Sequence, residues 1–308
     1  MRIGVVGAGG VGGLIAGLLA RAGHDVALVV RGAALEAIRA RGLHVDSPLG
    51  VFTANVSAGA IEEMAPVDAL LLAVKAWQVK DVAATLGPML TSESIVVPLQ
   101  NGVDAPDQCA DAVGAHRAFG GICHVLSWIE APGSVKHIGD GIRVTLGAWR
   151  APVDGRVEAV ARALDGAGIQ ARVASDFAAA LWDKFLFIAS FGGVGAVTRS
   201  GAGAMRTIPQ TRALLVGAFN EVFALAVRRG VAMRPDTVAK ALALIDSIPV
   251  DAIASLQRDI VAGRPSELES LSGAVVRIGA ELAAAVPVHT MLHAALLPQE
   301  EAARSARR

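Results

Sequence analysis

Three glycines near the start of the chain suggest a chemical role by their type and spacing. They are Gly7, Gly9 and Gly12, in a G-x-G-x-x-G pattern. In such a pattern the first glycine allows a tight turn, the second lets a pyrophosphate approach the backbone, and the third permits close helix–strand packing. A helix that starts at this turn points its unpaired N–H groups and positive dipole end at the phosphates. We therefore predict a dinucleotide site formed by Gly7, Ala8, Gly9, Gly10, Val11 and Gly12.

The elements around this turn match the motif. Residues 1–6 form a short apolar run that predicts a strand, and residues 11–22 have the pattern of a helix. The break at Gly23 is followed by the apolar run 25–30, which predicts a second strand. Strand, helix and strand together have the length of a βαβ unit with a right-handed crossover.

Arg31, the residue after the second predicted strand, indicates which nicotinamide cofactor binds. A site for NAD carries Asp or Glu near this point to accept hydrogen bonds from the 2′-hydroxyl of the ribose. Here the position offers a guanidinium, which suits a 2′-phosphate. We therefore predict NADPH as the cofactor. The alternative is that Arg31 only begins a solvated helix, since Gly32 is compatible with either course of the backbone.

Two further apolar runs predict buried strands of a parallel sheet, residues 68–74 and 94–99, with a helix at 76–86 between them. Each run ends in polar residues: Lys75 follows the first, and Gln100-Asn101-Gly102 follows the second. In open α/β sheets ligands bind beyond the carboxyl ends of the strands, so Lys75 and Asn101 are expected to meet the cofactor or substrate. The alternatives are that Lys75 merely begins a helix and Asn101 merely makes a turn.

Glycine-rich pieces at 117–126, 134–138 and 142–146 predict antiparallel hairpin additions to the first domain. A helix at 154–167 and a strand at 169–173 would complete that domain, so we place a boundary near Ala174. The chain beyond it has the alanine and leucine spacing of helices, for example at 212–229 and 235–243, and its charged tail, residues 300–308, is expected to fray.

These patterns predict an α/β protein with two domains. Residues 1–174 would form a Rossmann-type, doubly wound, NADPH-binding domain, and residues 175–308 an all-α domain for substrate binding and dimerisation. The apolar helical surface of the second domain is compatible with a homodimer.

The composition favours a small-molecule partner. Lys plus Arg and Asp plus Glu both total 28, and the aromatic fraction is 4% with no tyrosine, so neither a nucleic-acid surface nor a stacking platform is expected. Cys109 and Cys123 are the only cysteines, and no metal-ligand spacing occurs. We therefore expect no metal and a reducing, cytoplasmic compartment.

Two apolar stretches could be mistaken for membrane segments. Residues 3–20 are uncharged, but their glycines would weaken a membrane helix, and the pattern changes halfway from strand-like to helix-like. Residues 185–197 are too short to cross a bilayer. No association with a membrane is expected.

The ordered motifs resemble those of the ketopantoate reductase (2-dehydropantoate 2-reductase) family. The glycine turn and Arg31 are followed by Lys75-Ala76-Trp77-Gln78, Gln100-Asn101-Gly102, Leu181-Trp182-Asp183-Lys184, and Ser255-Leu256-Gln257-Arg258-Asp259 with Glu267. The resemblance implies a Rossmann domain joined to a helical domain. It further implies NADPH-dependent reduction of a 2-oxo acid, ketopantoate or a close analogue, to a 2-hydroxy acid in pantothenate biosynthesis.

The resemblance also implies roles for three residues. Lys184 matches the family's general acid, which donates a proton to the developing alkoxide, and the alternative is a surface pair of Asp183 with Lys184. Ser255 matches a substrate-binding serine, although a helical serine is often only solvated. Glu267 matches a glutamate that binds the polar end of the substrate or organises the site. Its alternative is a helix start in which Ser266 is the N-cap and Glu269 completes a capping box.

One departure from the family concerns the substrate. The typical enzyme carries asparagines four and eight residues after the lysine, whereas this chain has Ile188 and Gly192. On a helix these positions share a face with Lys184. We therefore expect that face to be less polar and locally roomier. Ser190, Thr198 and Arg199 are the candidates to compensate. The alternatives are a related dehydrogenase with a more apolar substrate and a non-catalytic NADPH-binding sensor.

Overall fold

The computed structural model describes residues 1–306, whose internal contacts divide them into two compact units. The first unit comprises Met1–Gln100 and Asp104–Phe177. The second comprises the short turn Asn101–Val103 and the chain from Ala178 onward. The boundary expected near Ala174 lies just before this division.

The first unit contains strands that belong to two sheets. In chain order they are β1 (Arg2–Val6), β2 (Asp25–Val29), β3 (Leu43–Ser47), β4 (Gly50–Ala54), β5 (Ser57–Gly59), β6 (Val67–Leu72), β7 (Leu90–Pro98), β8 (Gly120–Ala131), β9 (Ser134–Gly147) and β10 (Gln170–Val173). Its helices are α1 (Gly10–Arg21), α2 (Ala33–Arg41), α3 (Val79–Ala83), α4 (Ala105–Val113) and α5 (Gly155–Gly166).

The first sheet is parallel throughout, with the strand order β5–β2–β1–β6–β7. Alternate residues of its strands enter two separate cores. Ile3 and Val5 of β1 belong to a core that also contains residues of α1 and α5, and Val6 belongs to a second core with residues of α3 and α4. Because both faces are covered, the strands are apolar along their length. The prediction of a Rossmann-type, doubly wound domain is confirmed.

The second sheet has the order β10–β9–β3–β4, with β8 paired to β9 in an antiparallel ribbon. The predicted hairpin is confirmed, but the predicted break between residues 138 and 142 is wrong because β9 runs through it. Gly139 and Gly141 have φ of 91° and 129°, and between the pairs His124–Arg143 and Leu126–Ile138 the register shifts. The glycines form a bulge within one long strand.

The segment between Arg31 and β6 escaped the sequence analysis. It contains α2, the antiparallel β3–β4 hairpin and β5, and its second-sheet strands pack on α1. A methyl group at Gly17 of α1 would lie 2.6 Å from Val45 Cγ2 of β3, so the absence of a side chain at Gly17 allows the second sheet to pack closely on this helix. The helix predicted at 76–86 is also shorter, a 3₁₀ turn at Ala76–Gln78 followed by α3.

The second unit is helical, as predicted. Its helices are α6 (Phe177–Thr198), which begins at the last residue of the first unit, α7 (Ala202–Thr207), α8 (Pro209–Arg228), α9 (Thr237–Ser247), α10 (Ser255–Val261), α11 (Ala274–Glu281) and α12 (Pro287–Ser305). A π-helical turn, Glu269–Gly273, precedes α11.

Two sequence-based expectations about the helical unit are corrected. Helix α6 has 22 residues, so it is long and apolar enough to cross a membrane by length and composition, although 61% of its most apolar window is buried as in a core helix. The tail does not fray from residue 300, since α12 continues to Ser305 and buries Glu300 and Ala303. Arg307 and Arg308 lie outside the described residues.

Candidate functional site

The glycine turn of the first unit needs glycine at two positions for packing. Gly7 has φ of 104°, and a methyl group there would lie 2.9 Å from the carbonyl oxygen of Ala73. A methyl group at Gly12 would overlap the carbonyl oxygen of Gly7. Gly9 differs, because a methyl group there would meet nothing within 4 Å. The open space at Gly9 is where the motif requires a pyrophosphate to approach.

Helix α1 starts at this turn without a side-chain cap. Gly9 is the N-cap residue, and the first turn contains no acidic side chain. Ala8, Gly10 and Val11 are half-buried beside it. An uncapped N-terminus leaves backbone N–H groups and the positive end of the helix dipole available to an anion. The residues present therefore fit a dinucleotide pyrophosphate.

Strand β8 passes directly over the start of α1, which the sequence analysis missed. A methyl group at Gly10 would lie 2.6 Å from the carbonyl oxygen of Ser127 and 2.7 Å from the backbone nitrogen of Trp128. Gly10 is thus a glycine because β8 approaches it, not because of the G-x-G-x-x-G pattern. The extra glycine beside the motif was the one signal in the sequence that could have indicated this contact.

Arg31 lies in the exposed segment just after β2. Gly32, with φ of 63°, is the N-cap of α2, which begins at Ala33, so Arg31 precedes the helix. The exposed Arg31 side chain makes no ion pair with any of the residues 1–306. Its guanidinium is therefore available to a phosphate.

Polar side chains at the carboxyl ends of β6 and β7 organise the sheet edge. The Gln100 amide donates hydrogen bonds to the carbonyl oxygens of Leu72 and Val74, at 2.8 and 3.0 Å, and so ties the two strand ends together. Lys75 is exposed, caps the following 3₁₀ turn, and holds its ammonium 5.7 Å from the centre of the Trp77 ring. Lys75 thus begins a helical turn and also presents a cation at this edge.

In the second unit the structure brings Asn101 and Glu267 together. The Asn101 amide donates a 3.1 Å hydrogen bond to a carboxylate oxygen of Glu267, and both side chains are half-buried. Gly102 adopts φ of 100°, and a methyl group there would lie 2.7 Å from the carbonyl oxygen of Ser270. Because of these contacts the turn that follows β7 belongs to the helical unit.

The other two residues assigned by resemblance lie on separate helices of the second unit. Lys184 is half-buried in α6, between the fully buried Trp182 and Phe185, whose rings meet edge to face with centroids 5.6 Å apart. Ser255 is exposed as the first residue of α10. Burial raises the pKa of the neighbouring Asp183 carboxyl, and the positive charges of Arg234 and Lys240 oppose that rise.

The capping box predicted at Ser266 forms only in part: the Ser266 hydroxyl accepts a 3.3 Å hydrogen bond from the Leu268 N–H, as an N-cap does, but Glu269 does not complete the box. The backbone N–H of Ser266 donates to Glu300, whereas the Glu269 carboxylate accepts a 2.8 Å hydrogen bond from His293. The regular α-helix begins only at Ala274, after the π-helical turn. Glu267 lies at the start of this irregular helical segment, where its carbonyl oxygen accepts from the Ser270 and Leu271 N–H groups.

The prediction of a roomier face at Gly192 is wrong. A methyl group there would lie 3.3 Å from Leu256 Cβ and 3.5 Å from Ala254 Cβ, so α10 fills the space above this glycine. Thr198 does not compensate, since its hydroxyl donates to the Val194 carbonyl within α6. Arg199 is exposed just after the helix. The face is less polar, as expected, and it is packed.

Comparisons with known proteins agree with this architecture. A family model described as ketopantoate reductase PanE/ApbA matches residues 3–151, and the model of its C-terminal domain matches residues 176–300. A 2-dehydropantoate 2-reductase from Mesorhizobium japonicum is 31% identical over 301 residues, which cover 91% of each chain.

Solved structures share the fold over almost the whole chain. The 2-dehydropantoate 2-reductase from Geobacter metallireducens has a TM-score of 0.89 at 30% identity and covers 97% of this chain and 99% of its own. A ternary complex of D-mandelate dehydrogenase with NADH and anilino(oxo)acetate has a TM-score of 0.89 at 20% identity and covers 99% and 100% of the two chains. The latter likeness shows the fold alone.

Proposed function

Because the chain belongs to the ketopantoate reductase family of oxidoreductases, we propose that it uses NADPH to reduce a 2-oxo acid to a 2-hydroxy acid. Ketopantoate or a close analogue is the proposed substrate, which would place the enzyme in pantothenate biosynthesis. The observation that carries the choice of NADPH is Arg31, an exposed guanidinium without an ion pair among residues 1–306, just after β2. A 2′-phosphate is the part of NADPH that such a group distinguishes.

The first unit supplies the proposed cofactor contacts. The backbone from Gly7 to Gly12 would hold the pyrophosphate, Arg31 the 2′-phosphate, and Lys75 a further anionic group of the cofactor; Asn101 of the second unit is proposed to contact the cofactor as well as the substrate. When bound, the nicotinamide supplies the hydride that reduces the carbonyl carbon. The chain's own task is to orient the cofactor through these fixed groups, because hydride transfer depends on close, aligned approach.

The second unit supplies the proposed proton donor and substrate contacts. Lys184 would donate its proton to the oxygen of the carbonyl group as negative charge develops there, which stabilises the transition state more than the substrate. Ser255, Glu267 and Asn101 would hydrogen-bond to polar groups of the 2-oxo acid. The observed Asn101–Glu267 hydrogen bond supports this role because it orients both side chains.

A second candidate is reduction of a 2-oxo acid with a more apolar side chain. It is favoured by the face of α6 that carries Lys184, where Ile188 presents a hydrocarbon and Leu256 covers Gly192. A buried polar group on the substrate would lack partners on that face, and each unsatisfied group costs about 1–3 kcal/mol.

The deciding experiment measures kcat/KM over a panel of 2-oxo acids that includes ketopantoate and analogues with aliphatic and aromatic side chains, each with NADPH and NADH. Ketopantoate as best substrate supports the first proposal, and an apolar member as best substrate supports the second. Binding of NADPH without turnover of any carbonyl compound would contradict both and leave the non-catalytic sensor. We further propose a cytoplasmic enzyme, and sedimentation analysis would test whether it forms the homodimer suggested by its apolar helices.

A further inference from the structure

The C-terminal half of α12 contains a buried carboxylate that the proposed reaction does not use. Glu300 is 1% exposed, in the segment that the sequence led us to expect frayed. Burying a carboxylate destabilises the folded protein unless the carboxylate is fully hydrogen-bonded. The hydrogen-bond partners of Glu300 therefore indicate its structural role.

Among residues 1–306, the partners of the Glu300 carboxylate lie on Ser266 or on its own helix. The backbone N–H of Ser266 donates to both carboxylate oxygens, at 3.2 and 2.9 Å, and its hydroxyl donates to one of them at 2.5 Å. Arg304, one turn later on α12, holds the other oxygen at 2.6 Å and also donates a 3.1 Å hydrogen bond to the carbonyl oxygen of Ser266. We call Glu300 and Arg304 the α12 clamp.

The clamp occupies every polar group of Ser266, which is itself fully buried. The next residue is Glu267, whose carboxylate lies 3.1 Å from the Asn101 amide. On the C-terminal side of Glu267, Leu268 is fully buried and its N–H donates a 3.3 Å hydrogen bond to the Ser266 hydroxyl. The next residue, Glu269, accepts a hydrogen bond from His293 of α12. Glu267 is thus a half-buried acid fixed between two anchored neighbours.

We propose that Glu300 and Arg304 are positioning residues, which hold the Ser266–Glu267 backbone so that the Glu267 carboxylate is oriented to bind the 2-oxo acid. This inference rests on the proposed function, because it assigns the substrate contact to Glu267. Glu267 starts an irregular helical segment: its carbonyl oxygen accepts from the N–H groups of Ser270 and Leu271, and the clamp fixes the chain on its N-terminal side, where no helix precedes it. A rigid second layer of hydrogen bonds limits movement at a binding group.

The first test uses the full chain without cofactor or substrate. Hydrogen exchange of the segment 265–273 is compared for the wild type, Glu300→Gln, Arg304→Gln and the matched control Glu301→Gln, whose side chain is exposed on the same helix. We expect faster exchange in this segment for the first two variants and wild-type exchange for the control. Unchanged exchange in both clamp variants would overturn the proposal.

The second test separates positioning from general stability. In Glu300→Gln and Arg304→Gln we expect KM for the best 2-oxo acid to rise about tenfold, kcat to change less than about threefold, and the Kd of the nicotinamide cofactor to stay constant. Adding Glu300→Gln to Glu267→Gln should then cause no further rise in KM. A proportional loss of kcat, cofactor affinity and stability, or full additivity with Glu267→Gln, would overturn the positioning role.

The two tests distinguish failure of the clamp from failure of the proposed function. Exchange is measured without any ligand, so it judges the clamp even if no 2-oxo acid is turned over. Should Glu300→Gln fail to fold, Arg304→Gln remains available, because Arg304 is about one-third exposed and its replacement leaves the Ser266–Glu300 hydrogen bonds in place.

Discussion

The Asn101 amide and the Glu267 carboxylate form a 3.1 Å hydrogen bond between residues 166 positions apart in the chain. One partner follows the last strand of the parallel sheet and the other precedes the π-helical turn of the helical unit. Because an amide and a carboxylate each carry several donor or acceptor sites, such a hydrogen-bonded pair is suited to orient a polar substrate group.

This pair is testable by a double-mutant cycle on kcat/KM for the best 2-oxo acid. We expect Asn101→Ala and Glu267→Gln to be coupled by about 1 kcal/mol, since the first removes the hydrogen bond and the second removes the charge of its acceptor. Asn220→Ala, at an exposed position of α8, is the control and should add to Glu267→Gln without coupling. Strict additivity of the first pair would show that the contact has no role in binding.

Arg31→Ala should weaken NADPH far more than NADH. Charge-assisted hydrogen bonds contribute about 1.5–3 kcal/mol, so Kd for NADPH should rise about 10- to 100-fold while Kd for NADH changes little. Fluorescence titration with both cofactors provides the measurement. Arg41→Ala removes another exposed arginine and should alter neither affinity. Equal losses for NADPH and NADH in Arg31→Ala would refute the 2′-phosphate contact.

Substitutions at two glycines of the turn should affect protein stability and cofactor binding separately. Gly12→Ala must push against the Gly7 carbonyl and should lower stability by about 1–3 kcal/mol. Gly9→Ala meets no protein atom within 4 Å and has an allowed φ of −71°, so its Tm should stay near wild type.

Cofactor affinity is the second readout for Gly9→Ala. If a pyrophosphate approaches this position, Kd should rise by at least about tenfold. Gly155→Ala, at another open position at the start of a helix, should leave both Tm and Kd unchanged. Wild-type cofactor affinity in Gly9→Ala would place the phosphates elsewhere.

Lys184→Ala should reduce kcat by about 10²–10⁴-fold, the usual contribution of a general acid, with little change in cofactor affinity. Lys184→Arg retains the charge but not an acid that gives up its proton readily, so we expect it to remain impaired. Steady-state rates with saturating substrate provide the measurement, and Lys80→Ala, at an exposed position of α3, provides the control. Near-normal kcat in Lys184→Ala would remove this residue from the proton-transfer step.

Glu221 should make the stability of the protein depend on pH. Burial alone would raise the pKa of its carboxyl, but hydrogen bonds from the His289 side chain and from the backbone of His289 and Val288 hold the pKa below its ordinary value. A lowered pKa means that the ionised carboxyl stabilises the folded state above the unfolded pKa, near 4.3, and that this contribution is lost as the pH falls through the folded pKa.

Denaturant unfolding of Glu221→Gln tests this relation. We expect the variant to be less stable than the wild type by about 1–3 kcal/mol at pH 7, with the difference shrinking as the pH falls below about 4. Glu301→Gln should unfold like the wild type at each pH, because its side chain is exposed. A difference that stays constant between neutral and acidic pH would contradict the assignment to the ionised carboxyl.

The sequence was sufficient for features that depend on local pattern. The apolar run of β1, the glycine turn and the start of α1 follow each other in the chain, so their spacing alone predicts the βαβ unit, as the structure confirms. Arg31 and Lys75 could be placed at strand ends for the same reason. Helices of the second unit were predictable because their apolar period is local.

Only the tertiary structure decided the features that depend on contacts between distant segments. Gly10 is explained by the approach of β8, Gly192 by Leu256, and the buried Glu300 by Ser266, and none of these partners is near in sequence. The composition of the charged tail predicts a solvated segment. It does not reveal that Glu300 is buried and hydrogen-bonded to Ser266. The surroundings of Glu267 therefore depend on long-range packing and on the burial of the Glu300 carboxylate beside Ser266. Local periodicity in the sequence contains no information about either contact.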